Sequence, residues 1–175
     1  MIATRFLPAA NFDQYGEWIK RQDQETRNLY FGMATSDAVI DSLMDRVHNN
    51  LHDHRILVAQ DGSHWVGTLH MAMSGRTVEF GLIVRSDCRG QGIASVMLEQ
   101  ALTWVKNRGY QELFMHCLGH NRPIQHLCAK HGLPARNMHG DSQVHLRLSP
   151  PTWLTMISEI NTNYKNIWYS WLQKS

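Results

Sequence analysis

A glycine-containing turn carries the clearest chemical signal in the chain. Residues 89–94 read Arg-Gly-Gln-Gly-Ile-Ala, between a β-like segment at 78–84 and a strongly helical segment at 95–107. A glycine-rich turn that opens a helix leaves several backbone N–H groups without partners, and the helix dipole adds partial positive charge there. With the fixed charge of Arg89 nearby, such a turn suits phosphate or pyrophosphate. The sequence therefore predicts that the protein binds a phosphorylated cofactor.

Three glycine-loop motifs compete for this turn. A Walker A loop ends in Gly-Lys followed by Ser or Thr, and the chain contains no such run. A dinucleotide fingerprint needs a third glycine where the chain has Ser95, and an acidic residue about 20 positions later. Glu112 has roughly that spacing, but it lies at the start of the next apolar run, where it could not reach a ribose. The pattern Gln/Arg-x-x-Gly-x-Gly/Ala fits without a mismatch as Arg89, Gly92 and Ala94.

In this pattern and its surroundings the chain resembles the GNAT superfamily of acyl-CoA-dependent N-acetyltransferases. Segments 79–84, 89–108, 112–117 and 121–133 are similar, in order, to the family's fourth strand, pyrophosphate loop with its helix, fifth strand and following helix. The resemblance implies an α+β fold with a mixed, mostly antiparallel central sheet and helices on both faces. It also implies acetyl-CoA as cosubstrate and an amine of a small molecule or peptide as acceptor, with no metal. An ordinary βαβ unit with a tight turn is the alternative.

The resemblance assigns cofactor contacts to two segments and one further residue. Backbone groups of Leu82, Ile83 and Val84 are expected to pair with the pantetheine arm like an added strand, and one N–H there to polarise the thioester carbonyl. The residues expected to hold the pyrophosphate are Arg89, Gly90, Gln91, Gly92, Ile93, Ala94 and Ser95. Asn121 corresponds to a residue that touches the pantetheine arm in relatives. It can also simply cap the helix that contains Pro123 in its first turn.

Glu79 is the candidate general base. It lies near the start of the segment similar to the fourth strand, where several family members carry a catalytic glutamate. A carboxylate in a cleft can take the proton of the attacking ammonium directly or through a water. The alternative is a strand glutamate that faces solvent or pairs with an arginine.

Cys128 is where the chain departs from its relatives. Many family members carry a tyrosine, the general acid, seven residues after the Asn, and that position here is Cys128. A thiol with a pKa of about 8.5 can in principle protonate a departing thiolate. A small buried residue without a chemical task is the more common fate of a free cysteine, and we favour it.

Three classes of function follow from these residues. The first is transfer of acetyl from acetyl-CoA to a primary amine by direct attack in a ternary complex. The second is an acyl-CoA-binding module with weak or no catalysis, suggested by the missing tyrosine. The third is an O- or S-acyltransferase with Cys128 as a transient acyl carrier. No motif identifies the acceptor.

The charge of the chain is informative in its distribution. The 175 residues suggest one domain with a sizeable core, and the net charge of +2 does not argue for nucleic acid or membrane as a partner. Residues 11–53 contain eight carboxylates against four Lys or Arg, whereas residues 101–175 contain three against eight. A basic second half suits a polyanion such as coenzyme A. An acidic first half can favour a cationic acceptor, although such charges usually lie on solvated helix faces.

The cysteines and histidines favour neither disulfides nor a metal site. The three cysteines form no Cys-x-x-Cys pair, which predicts reduced thiols in a cytoplasmic protein, and neither an export signal nor a membrane span is expected. His48 and His52 have the spacing of a zinc pair on a helix, but no third ligand is implied.

Apolar periodicity and turn residues predict the elements that must position these groups. The predicted strands cover 3–7, 55–60, 65–73, 77–84, 112–117, 135–139 and 143–148, and the predicted helices cover 11–22, a segment from 36 onward, 95–107 and 121–133.

An aromatic tail follows the predicted catalytic domain, 1–150. In residues 151–175, large apolar side chains recur at helical spacing, and these are Trp153, Ile157, Ile160, Tyr164, Trp168 and Trp171. The pattern predicts a C-terminal helix with one apolar stripe. The stripe is expected to pack on the domain or to form a homodimer, since aromatic residues favour interfaces.

Overall fold

Seven strands form one mixed sheet. The computed structural model describes the backbone of residues 2–118, 121–133, 135–138 and 141–172, with the side chains of all these residues except 116–118, 135–138, 141–144 and 163–172. The strands are β1 (Ile2–Phe6), β2 (His54–Asp61), β3 (His64–Ser74), β4 (Thr77–Val84), β5 (Glu112–Leu118), β6 (Ala135–Met138) and β7 (Asp141–Arg147). Their order across the sheet is β1-β2-β3-β4-β5-β7-β6. Only the central β4–β5 pair is parallel, which confirms the predicted mixed, mostly antiparallel sheet.

Six α-helices accompany this sheet in the described part of the chain. They are α1 (Asp13–Lys20), α2 (Gln24–Phe31), α3 (Asp37–Asn49), α4 (Ile93–Asn107), α5 (Arg122–Lys130) and α6 (Trp153–Leu172). Three short 3-10 helices lie at Ala9–Asn11, Leu51–Asp53 and Ser86–Cys88. The predicted ends of most elements differ from these bounds by a few residues, as helix ends in particular tend to do.

The strands alternate their side chains between two apolar layers. On β2, Ile56 and Val58 belong to a cluster with α1 and α3, whereas Leu57 and Ala59 belong to a cluster with α4 and α5. All four side chains are fully buried. Because both faces of the sheet are covered by helices, the central strands are apolar on both sides, and the predicted α+β architecture is confirmed.

Helix α2 is an element that the sequence analysis omits. The carboxylate of Asp23 caps its start by accepting a hydrogen bond from the backbone N–H of Thr26 at 2.8 Å. Gly32 ends it in the left-handed conformation, with φ of 75°. These are ordinary start and stop signals of a helix. The helix packs beside β4, so it covers the strand on which the predicted base lies.

Helix α6 packs along α4 and beside β1 through polar contacts. The Asn107 side chain donates to the Thr155 carbonyl oxygen at 3.0 Å, and Arg108 donates to the Glu159 carboxylate at 2.9 Å. The predicted tail helix is therefore present, but its stripe does not pack on the domain where side chains are described. Trp153, Ile157 and Ile160 are 68%, 46% and 53% exposed. The side chains of Tyr164, Trp168 and Trp171 lie outside the described residues, and homodimer formation stays a prediction.

No described helix is long and apolar enough to cross a membrane.

Candidate active site

A cleft of about 430 Å³ opens where β4 and β5 part. The last paired residues of the two parallel strands are Phe80 and Met115, although β4 continues to Val84 and β5 to Leu118. The described residues that line the cleft are Leu29, Tyr30 and Phe31 of α2, Leu43 and Arg46 of α3, His54 of β2, His70 and Ala72 of β3, Glu79, Phe80, Gly81 and Leu82 of β4, Met115 of β5, and Asn121 and Ile124 at the start of α5. The cleft thus joins the middle of the sheet to three of the helices.

The second half of β4 has one free backbone edge in this cleft. From Gly81 to Val84 the strand pairs with β3 on one side, while β5, which pairs with its first half, has separated on the other. The Ile83 side chain is buried and those of Leu82 and Val84 are half-buried. No described strand pairs with this edge. The Val84 carbonyl oxygen accepts a hydrogen bond from Arg89 Nε at 3.4 Å, and the other backbone groups that point out of this edge can pair with an extended ligand that has amide groups, which can add as a strand.

The glycine loop follows directly and leaves open space beside its backbone. Gly90 and Gly92 have φ of 76° and 78°, and a Cβ built on either would meet no atom within 4 Å. Gly92 caps α4 without a side-chain hydrogen bond, and the first turn of α4 contains no acidic residue. The positive end of a 15-residue helix therefore lies beside open space, as a bound anion requires.

Arg89 ties this loop to α2. Its guanidinium donates to the Thr26 hydroxyl oxygen at 2.6 Å, and that hydroxyl donates to the Asp23 carboxylate at 2.8 Å. The pKa of Asp23 is lowered, chiefly by the hydrogen bond from the Thr26 backbone and, to a smaller extent, by the charge of Arg89. Arg89, which was predicted to bind phosphate, therefore lies at the loop and contacts α2, the helix that the sequence analysis omits.

A second contact joins the loop to the end of α5. The Ser95 hydroxyl lies 2.7 Å from Nε2 of His131. Ser95 was predicted to hold the pyrophosphate, whereas His131 was not singled out. Both side chains are half-buried, and their contact joins the first turn of α4 to the residue that ends α5.

Glu79 lies in the cleft beside a tyrosine pair. It is exposed, and on β3 its register partner is Ala72. The hydroxyl oxygens of Tyr30 and Tyr15 are 2.9 Å apart. Burial raises the pKa of Tyr30 to about 12, and the negative charge of Glu79 adds to this rise. Tyr30 therefore stays protonated at neutral pH and lies near enough to Glu79 to be influenced by its charge.

Two histidines form a neutral pair on the same wall. His54 Nδ1 and His70 Nε2 are 2.9 Å apart, and the rings are stacked at 5.0 Å. Burial lowers the pKa of His70 to about 3, with smaller contributions from the charges of His54 and Arg46. Burial also lowers the pKa of His54. At neutral pH both rings are uncharged, so one ring donates its N–H to the other.

Comparison with known proteins identifies the family. The sequence profile of the Acetyltransferase (GNAT) family matches residues 16–133. The chain belongs to the GNAT acetyltransferase family. The resemblance found in the glycine loop and its neighbours is thereby confirmed, and with it the prediction of an acetyltransferase enzyme.

Individual GNAT relatives agree with this assignment. The Bacillus subtilis (strain 168) protein named "Putative phosphinothricin acetyltransferase YwnH" is 37% identical over 57 residues, which cover 33% of this chain and 35% of that protein. An N-acetyltransferase of Staphylococcus aureus Mu50 has a TM-score of 0.64 at 17% identity, over 85% of this chain and 99% of the other. Spermidine N-acetyltransferase of Vibrio cholerae, in complex with CoA and spermine, has a TM-score of 0.65 at 15% identity, over 84% and 95%. The PaiA N-acetyltransferase of Thermoplasma acidophilum, in complex with coenzyme A, has a TM-score of 0.64 at 16% identity, over 84% and 99%. At these identities the solved structures establish the fold.

The two remaining predicted site residues of this GNAT protein, Asn121 and Cys128, lie in different surroundings. Asn121 lines the cleft, and its side-chain oxygen accepts a hydrogen bond from the Ile124 backbone at 3.4 Å, as a helix cap does. Cys128 is fully buried in the apolar cluster under α4 and α5, and its thiol donates to Met115 Sδ at 3.7 Å. Cys128 therefore lies in the core behind the wall of the cleft, where its thiol contacts Met115, one of the residues that line the cleft.

The spacing of His48 and His52 raised the possibility of a metal site. Among the residues that the structure describes, no group of three or more His, Cys, Asp or Glu side chains is placed to hold a metal ion. His48 instead lies 3.0 Å from the Asp13 carboxylate.

The part of the cleft formed by α2, α3, β2 and β3 contains residues that the sequence analysis did not select. They are Tyr30, Arg46, His54 and His70. Each comes from a different element, and none belongs to a motif, so only the start and stop signals of α2 could have drawn attention to one of them.

Proposed function

We propose that the protein transfers the acetyl group of acetyl-CoA to a primary amine by direct attack within a ternary complex. The observation that carries the proposal is the continuity of three features along the chain. Glu79 lies in the cleft, the free edge of β4 follows it, and the open glycine loop follows that edge. Together they can place a thioester between a phosphate site and a carboxylate.

The residues present fit coenzyme A. The free edge of β4 offers the outward backbone groups of Leu82 and Val84 to the amides of the pantetheine arm, whereas the backbone groups of Ile83 face β3. The space beside Gly90 and Gly92 suits the pyrophosphate, at the positive end of α4. Gln91 and Ser95 add polar side chains to this loop.

The reaction needs a neutral amine and a polarised carbonyl. The amine nitrogen attacks the thioester carbonyl carbon, the C–N bond forms, and the C–S bond breaks to release a thiolate. A backbone N–H of the β4 edge can donate to the thioester oxygen as negative charge develops on it. Glu79 takes the proton lost by the ammonium, directly or through a water.

We propose that water supplies the proton to the departing thiolate. Cys128 occupies the position of the tyrosine found in many relatives, but its thiol is fully buried against Met115. We propose that it packs the core and takes no part in the transfer. Alignment of the reactants and removal of the amine proton then supply most of the rate enhancement.

A first experiment tests cofactor binding by thermal unfolding with acetyl-CoA. A ligand at 100 times its dissociation constant adds about 2.7 kcal/mol to the free energy of unfolding. Gly92→Val should abolish this stabilisation, because a side chain would occupy the phosphate space. Gly75→Val is the matched control, since Gly75 also has positive φ, 57°, with no atom within 4 Å of an added Cβ, but lies in the β3–β4 turn. Stabilisation that is absent in the wild type, or equal in both variants, would contradict the assigned cofactor site.

A second experiment tests turnover with a panel of amines. Glu79→Gln should lower kcat about 10²- to 10⁴-fold, and the loss should shrink at higher pH because more amine is already neutral. Glu99→Gln, an exposed glutamate on α4, is the control. Stabilisation by acetyl-CoA without acetylation of any amine would favour a binding module. Acetylated Cys128 in mass spectrometry would favour an acyl carrier.

A further inference from the structure

The described lining of the cleft contains one acidic and one basic side chain. Among the described lining residues, Glu79 on β4 is the only carboxylate and Arg46 on α3 is the only Lys or Arg. Arg46 is exposed, and its charge contributes to the lowered pKa of both His54 and His70, so it lies close to that pair.

Arg46 has no carboxylate partner within the part of the chain that the structure describes. Other cations on the same helical layer are paired: Lys20 lies 2.7 Å from the Asp41 carboxylate, and Arg27 lies 2.6 Å from that of Asp37. Two of the eight carboxylates in residues 11–53, those of Asp37 and Asp41, are thus engaged in ion pairs, whereas the cleft itself presents an arginine. A planar guanidinium with free donors is well suited to a carboxylate or another oxyanion.

The wall next to Arg46 is apolar. Leu29 and Phe31 of α2 and Leu43 of α3 line the cleft and are half-buried. A second ammonium group on the acceptor, as in a polyamine, would meet these side chains and the positive charge of Arg46. An apolar group would instead remove their surface from water, which is favourable in proportion to the area buried.

We propose that the acceptor is an amine that also carries an anionic group, with an apolar amino acid as the chemical class. Arg46 binds the anionic group, the apolar wall receives the side chain, and the amine is directed to Glu79 and the thioester. The proposal rests on the proposed acetyl transfer and deepens it by naming the class of acceptor.

The test compares kcat/KM for acceptors with and without an anionic group. Leucine is matched with leucinamide and with 3-methylbutylamine, which lacks the carboxylate, and spermidine represents the polyamines. Leucine should exceed the other three acceptors by at least tenfold. Arg46→Gln should lower kcat/KM for leucine about 10- to 100-fold, the range expected for a charged hydrogen bond, and should leave 3-methylbutylamine within threefold. Arg46→Glu should turn the preference toward spermidine.

Controls separate this inference from the proposed function. Arg21→Gln, an exposed arginine directly after α1 and outside the cleft, should leave all rates unchanged. Because Arg46 is exposed, its variants should fold, and unchanged thermal stabilisation by acetyl-CoA verifies an intact cofactor site. Failure to acetylate any amine would sink the proposed function. Acetylation that is equal for leucine and leucinamide, strongest with spermidine, or reduced for all acceptors alike by Arg46→Gln would overturn the inference alone.

Discussion

The buried histidine pair should make the protein lose stability in mild acid. His70 is 6% exposed, and burial lowers its pKa from 6.5 to about 3, with contributions from His54 and Arg46. In the unfolded chain the same ring titrates near pH 6.5. Between these values the unfolded chain binds a proton that the folded chain does not, so the free energy of unfolding falls as the pH falls. The slope approaches about 1.4 kcal/mol per pH unit below pH 6, and the loss between pH 6.5 and 4.5 is about 2.3 kcal/mol.

His70→Gln tests this reasoning because glutamine does not titrate and can still bond to His54. The variant should be less stable than the wild type at pH 7.5, but its stability should fall less steeply toward pH 4.5. Urea unfolding at half-unit pH steps measures both quantities, and the carboxylates with lowered pKa values, Asp23, Asp61 and Asp87, titrate below this window. His52→Gln, an exposed histidine, should keep the wild-type slope. The same slope in His70→Gln and wild type would refute the assignment of acid sensitivity to His70.

Three further predictions follow from contacts around the cleft and the tail. Gly81→Ala should cost about 1–3 kcal/mol in urea unfolding, because a Cβ there would lie 2.4 Å from the Tyr30 hydroxyl oxygen, and Tyr30→Ala should recover part of this loss; a purely additive double variant would contradict it. Cys128→Ala should lower the melting temperature but lower kcat less than tenfold, because the thiol is fully buried. A large fall in kcat with unchanged stability would instead make the thiol catalytic. Glu159→Gln should lower the free energy of unfolding by less than about 1 kcal/mol, since its partner Arg108 is 42% exposed. Truncation after residue 150 should lower it more, and equal melting temperatures for the two variants would argue against docking of α6.

Most strands and the glycine turn before α4 could be predicted from the sequence because their signals are local. β4 was predicted at 77–84 and is observed there, bounded by turn residues and apolar throughout its second half. The glycine loop is a continuous run whose function depends on its own backbone, so its pattern survives in the linear sequence. The role of each of its side chains stays a prediction, and Arg89 shows why, since its observed partner is Thr26, far away in the chain.

Helix α2 was omitted because its apolar residues do not recur at helical spacing. Leu29, Tyr30 and Phe31 are consecutive at its end, and its first half is polar. Such a helix is stabilised by its caps and by the strand it covers rather than by an amphipathic period. The capping pair of Asp23 and Thr26 with the terminal Gly32 was the available signal. Without α2, Tyr30 could not be placed beside Glu79.

The acceptor wall could not be predicted, for a physical reason that also explains its chemistry. Arg46, His54 and His70 are single residues on three elements that meet only after the sheet has formed. The cofactor segment, by contrast, uses the backbone of β4 and the start of α4. In the proposed function, binding of the cosubstrate and choice of the acceptor therefore depend on different parts of the chain. This division is the reason that substitution of Arg46 should exchange one class of amine for another while the stabilisation by acetyl-CoA stays constant.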